Sequence, residues 1–155
     1  MAVADLLEAQ PAHLPPGYRF QRKLRGRLFE GFRGDDEQVI LVYGRGWSDA
    51  GAYRPLLVYV SPSTNGAELF STEEKAGQPL ELGVDGTRTV YHDGRWELGP
   101  GFDARTPGDV TVHWDSSDWH SLTVVHPGGL YAVRGARRNG VGLSDLVDVA
   151  KSLPY

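Results

Sequence analysis

The sequence predicts an α+β domain: a curved, mainly antiparallel β-sheet with a short N-terminal and a short C-terminal helix packed on it. Three observations carry this expectation. The 20 glycines and 10 prolines punctuate the chain at short intervals, and the segments between them are rich in Val, Tyr, Trp, Leu and Thr, as strands joined by tight turns are. Two of those segments, 39–43 (VILVY) and 56–60 (LLVYV), are apolar at every position, which predicts central strands covered on both faces. Helical spacing of apolar residues occurs only near the two ends.

Taken in order, residues 2–10 read as a short helix with Val3, Leu6 and Leu7 on one side, ended by Pro11 and the Pro15-Pro16-Gly17 group. From Tyr18 the period becomes two. Tyr18, Phe20, Leu24, Leu28 and Phe32 fall on one face and Arg19, Gln21, Lys23, Arg25, Arg27 and Arg33 on the other, with bends at Gly26 and Gly31. Segments 45–54 and 61–78 read as loops. Residues 89–98 (TVYHDGRWEL) carry a hairpin signal, because Asp93-Gly94 suits a two-residue turn with positive φ. That turn pairs Tyr91 with Trp96 and Thr89 with Leu98. Strands follow at 110–114, 120–125 and 130–134, the last two joined through Pro127-Gly128-Gly129. The final helix has Ser144 as N-cap, Asp145 in its first turn and a stripe of Leu146, Val147, Val149, Ala150 and Leu153 before Pro154. The terminal helices are the expected cover for the second face of the central strands. Neither a repeat nor a linker interrupts the chain, so residues 1–155 read as a single domain.

Composition narrows the function classes. A chain of 155 residues buries a core without staples. Its net charge of −4 supplies no general attraction to nucleic acid or anionic membrane. Without cysteine, thiol catalysis, disulfides and cysteine-ligated metal sites fall away. The longest apolar runs are too short to cross a bilayer as a helix, so membrane association is expected only through an anchor outside this sequence. No nucleophile elbow, HExxH or phosphate-loop motif occurs; neither an enzymatic activity nor a cofactor is expected.

The most chemically loaded stretch is 113–120, the palindrome HWDSSDWH. Read as a symmetric hairpin about Ser116-Ser117, it converges His113, Asp115, Asp118 and His120 into a four-ligand metal or acid/base site. A three-residue loop over 116–118 instead aligns Val110, Val112 and Trp114 with Val124, Leu122 and His120. Burying two or three aliphatic side chains at about 1.5–3 kcal/mol each outweighs a tryptophan pair at about 0.5–1.5 kcal/mol, so this register is expected. It places Trp114 inside and Trp119 outside, beside His113 and Asp115, where Trp119 suits contact with a partner.

Other clusters have milder readings. The basic row 19–33 suits phosphates, acidic headgroups or an acidic protein patch, against the plainer role of keeping an edge strand soluble. Without interleaved exposed aromatics it does not suit single-stranded nucleic acid. His92 and His126 read as turn residues, and Arg137-Arg138-Asn139-Gly140 as a solvated basic turn.

Two passages carry a resemblance: LPPGY at 14–18 after a short helix, and GLSDLVDVAKSL at 142–153. With the strand run between them, the chain resembles the uncharacterised extracytoplasmic domains of bacterial membrane-anchored anti-sigma factors and lipoproteins. The resemblance implies a non-catalytic α+β domain that binds or senses something outside the cytoplasm. The resulting expectation is an extracytoplasmic binding or sensing domain of a bacterial envelope protein, taking an unidentified protein, small-molecule or lipid ligand. Trp47 and Tyr53 are candidate contacts in the loops, with Trp119, Arg25 and Arg27 elsewhere on the surface. Two alternatives stand beside it: a metal-binding protein or metal-dependent hydrolase using HWDSSDWH, and an assembly module that takes an acidic partner on the basic strand 19–33.

Overall fold

A computed structural model describes residues 1–26, 37–45, 55–62, 77–98, 112–115 and 119–155. The order is α1 (Val3–Leu7), β1 (Arg19–Gly26), β2 (Gln38–Gly44), β3 (Leu56–Ser61), β4 (Gln78–Leu80), β5 (Arg88–His92), β6 (Arg95–Leu98), β7 (Val112–Asp115), β8 (Trp119–His126), β9 (Gly129–Ala136), a 3-10 turn (Arg137–Asn139) and α2 (Leu143–Lys151). Seven strands form one antiparallel sheet in the order β1-β2-β3-β9-β8-β5-β4, and β6 pairs with β7 in a separate ribbon. This is the expected α+β class.

Directly opposed residues of neighbouring strands share a face, so the register sorts the side chains. Val39 and Leu41 of β2, Val58 and Val60 of β3, Tyr131 and Val133 of β9, and Leu122 and Val124 of β8 fall on one face. There they meet Leu6 and Leu7 of α1 and Leu146, Val149 and Ala150 of α2, with Leu153 just beyond, in one core cluster. Both helices therefore cover the same face. The opposite face is also buried at its centre, with Ala132 and Ala136 fully enclosed and Arg134 and Trp119 each 4% exposed. No described helix lies on it, so the expectation that the terminal helices supply the second cover is corrected.

α2 starts two residues earlier than expected. Gly142 occupies the N-cap, and the Asp145 carboxylate accepts the Gly142 N–H at 2.8 Å. Ser144 lies inside the first turn instead, and the negative charge of Asp145 still faces the positive helix end. β4 falls at the end of the segment read as a loop, where Gln78, Pro79 and Leu80 pair with Tyr91, Val90 and Thr89.

The hairpin expected over 89–98 does not form. β5 pairs with β4 and β8, while among the described residues β6 pairs only with β7. Gly94, at φ 137°, carries the chain from the main sheet into the ribbon. The palindrome behaves in the same way. β8 is held by β5 on one edge (His92 opposite Ser121, Tyr91 opposite Leu122) and by β9 on the other. No edge remains there for β7, which sets Asp115, Trp114, His113 and Val112 against Arg95, Trp96, Glu97 and Leu98. β5–β8 thus belongs to the main sheet, and β6–β7 is a ribbon of its own. HWDSSDWH therefore spans the end of β7 and the start of β8, which do not pair with each other; the expected alignment of Val112 and Trp114 with Leu122 and His120 is overturned, and residues 116–118 lie outside the described residues.

Candidate functional site

Gly135 begins the first constellation. It lies on the helix-covered face of β9 directly opposite His120, and a Cβ there would come within 2.5 Å of the Val141 side chain. Without one, the segment entering α2 closes onto the sheet. The Val141 carbonyl then lies 2.6 Å from His120 Nε2, and the Tyr91 hydroxyl 3.0 Å from His120 Nδ1. A carbonyl only accepts, so Nε2 carries the proton and Nδ1 accepts from Tyr91. Arg137 donates to the Tyr91 oxygen at 2.9 Å and also bonds Asp93. The hydrogen bond to Asp93, followed by the bond to Tyr91, raises the Arg137 pKa and keeps it cationic.

This chain of groups runs from a His120 ring that is 1% exposed to a surface ion pair. Both ring nitrogens of His120 are engaged, so neither a metal nor a substrate finds a free lone pair or proton on it. The arrangement is a latch between the sheet and the entry to α2. Arg137, read as part of a solvated turn, is one of its members. Nothing in the local sequence marks Tyr91 and Arg137, which lie 46 residues apart, as partners.

A second polar constellation crosses the opposite face. Arg134, Ser121 and His92 oppose one another on β9, β8 and β5, each 4% exposed or less. The Arg134 guanidinium stacks 4.3 Å above the Tyr59 ring. Burial, reinforced by the Arg134 charge, pushes the His92 imidazole below its ordinary value. His92 is therefore a buried strand residue rather than a turn residue. So is His126, which stacks on Tyr131 at 4.3 Å and is pushed down by burial and then by the chain's amino terminus.

The third constellation lies on the sheet edge. β1 shows a register shift between Phe20 and Arg22. The extra residue exchanges faces beyond it: Phe20, Lys23 and Arg25 oppose the core residues Tyr43, Leu41 and Val39, while Arg22 and Leu24 oppose Val42 and Ile40. The unbroken alternation expected for this strand is therefore corrected. Lys23 reaches Glu8 of α1 at 3.0 Å, and Arg25 reaches Glu8 at 2.9 Å and Glu37 at 2.8 Å. The bond to Lys23, ahead of Arg25, holds Glu8 below the usual carboxylate range. Arg19 and Arg22, both exposed, have no carboxylate partner among the described residues. Leu24 (37% exposed) shares their face, and Phe20 (53% exposed) stands on the other face of the same strand against Tyr43.

The remaining expected site residues divide as follows. Trp47, Tyr53, Arg27 and Asp118 lie outside the described residues. His113 and Asp115 fall on β7, whose pairing partner is β6, whereas His120 belongs to β8 in the main sheet. Trp119 faces away from His120, opposite the small Ala136, and is buried. The expectation of an outward Trp119 offered to a partner is overturned. Among the described residues, no three His, Asp or Glu side chains gather as metal ligands do.

Together these features define a class of molecule: an open antiparallel α+β sheet domain with enclosed polar constellations and a cationic edge. Comparison with protein-family models, with curated proteins and with solved structures finds no match to this chain.

Proposed function

We propose that the chain is a non-catalytic binding domain whose docking surface is the β1 edge and whose partner is an acidic protein segment. The observation that carries this reading is the contrast along one strand. Lys23 and Arg25 are matched by Glu8 and Glu37, while Arg19 and Arg22 stand exposed on one face with Leu24, and Phe20 is exposed on the other. Positive charge next to exposed apolar surface, on a chain of net charge −4, gives a local attraction that the whole molecule lacks. His120, with both ring nitrogens engaged, supports a structural rather than a catalytic role for that histidine.

A fluorescently labelled glutamate-rich peptide tests the reading. It should bind the full chain and weaken as ionic strength rises from about 0.1 to about 1 M, where the screening length shrinks from about 10 to about 3 Å. The double substitution Arg19→Glu with Arg22→Glu should abolish binding without lowering the melting temperature. Affinity unchanged by the charge reversal contradicts the proposal. The extracytoplasmic, sensing role rests on the sequence resemblance. Fractionation of the native bacterium tests it, and recovery of the protein with the cytoplasmic fraction overturns it.

A further inference from the structure

We infer that the acidic partner docks by strand addition, pairing as an extended segment along the outer edge of β1 to make an eighth strand. The inference deepens the proposed function and rests on it.

Among the described residues the sheet ends at β1 on one side and at β4 on the other, and the two ends differ in what they offer. β4 has three residues, and its middle one, Pro79, has no N–H to give. β1 has eight residues without a proline. Its inner edge is paired with β2 from Arg19 to Gly26. Its outer edge carries no partner strand among the described residues. In a paired edge strand, the N–H and C=O groups not used inward point outward and can accept another chain.

Side chains specify which chain fits. Along the face away from the helices, β1 presents Arg19, Arg22 and Leu24 at successive same-face positions, because the register shift removes Gln21 from the alternation. An added strand meets them with acidic residues at i and i+2 and an apolar residue at i+4. On the helix-covered face it meets Phe20, then Lys23 and Arg25 already neutralised by Glu8 and Glu37, so uncharged side chains suffice there. A second copy of β1 is the wrong occupant. Laid antiparallel over the same triad, it sets Arg22 against its own counterpart, and like charges directly opposed are unfavourable. Charge complementarity selects a foreign acidic segment.

The test uses the full chain and a ten-residue peptide with Glu, Glu and Leu alternating with Thr on the other face. A second version of the peptide is N-methylated at alternate backbone amides. Binding should slow hydrogen exchange at alternate β1 amides, those not bonded to β2, by about tenfold or more. The N-methylated peptide should bind at least about tenfold more weakly, about 1.4 kcal/mol. Arg22→Glu, a surface change, should lose affinity for both. Binding that depends on salt and Arg22 but leaves β1 exchange unaltered overturns strand addition and keeps the acidic-partner reading. Absence of binding overturns both. Protection at β4, or β1 protection that appears with protein concentration and no peptide, also overturns the inference, the latter identifying a second copy as the occupant.

Discussion

Replacing Tyr91 by Phe removes a single oxygen from the interior latch and leaves every packing contact of the ring in place. That oxygen donates to His120 Nδ1 at 3.0 Å and accepts from Arg137 at 2.9 Å. The two losses are unequal. Arg137 is 42% exposed at its side chain, so water replaces the bond it loses. His120 is 1% exposed, so its Nδ1 lone pair is left buried without a donor, at a cost of about 1–3 kcal/mol. For a chain of this size that corresponds to a fall in melting temperature of about 2–12 °C. Equilibrium urea unfolding at neutral pH gives the number directly. The same substitution made in a His120→Phe background should cost less, because the orphaned nitrogen is gone, and the two effects should couple by more than about 0.5 kcal/mol. Nitrogen chemical shifts should place the His120 proton on Nε2. A Tyr91→Phe cost below about 0.3 kcal/mol, or a proton on Nδ1, would refute the latch.

Gly135→Ala should destabilise the protein through the same latch, since its Cβ would lie 2.5 Å from Val141; an unchanged urea midpoint would count against that closure. Gly129→Ala should be worse, because φ is 145° and the Cβ would fall 2.1 Å from the Ser61 carbonyl oxygen, which is rigid main chain; normal yield and stability would be the contrary result. Leu146→Ala should cost about 2–5 kcal/mol by opening a cavity between α2 and the sheet, measured by the same unfolding curves. His92 and His126 are both pushed down, mainly by burial. The unfolded chain therefore takes up protons near pH 6.5 that the folded chain refuses. Stability should be full above about pH 6.5 and fall below it, by at most about 1.36 kcal/mol per histidine per pH unit. Stability that is level between about pH 7 and pH 5 would contradict the assignment.

The parts of the fold legible in the sequence are those decided by local chemistry. VILVY and LLVYV became β2 and β3, because short unbroken apolar runs read as sheet strands, and Val39, Leu41, Val58 and Val60 went into the core. The stripe Leu146, Val149, Ala150 and Leu153 became the buried side of α2 and its C-terminal end. Partner choice is different, because it is settled by which edges are already occupied. Asp93-Gly94 has the composition of a hairpin turn, yet the chain passes through it from one sheet to another. HWDSSDWH invites a fold about its centre, but Leu122 and Val124 were already held between β5 and β9. The inserted residue of β1 is equally silent: nothing in RFQRKLRG announces that Gln21 drops out of the alternation, and that slip decides which cations meet Glu8. As for the candidate site, the basic strand stood out in the sequence as a charge asymmetry. Which arginines remain exposed was not readable, since Glu8 comes from the preceding helix and Glu37 from just before β2.

The most direct test of the central claim is an amide chemical-shift map of the full chain titrated with the alternating acidic peptide. Docking at the β1 edge predicts perturbations concentrated over Arg19–Gly26, attenuated along β2 and absent from β4, and lost with Arg19→Glu and Arg22→Glu. Perturbations centred on any other strand, or identical in the charge-reversed protein, would contradict it.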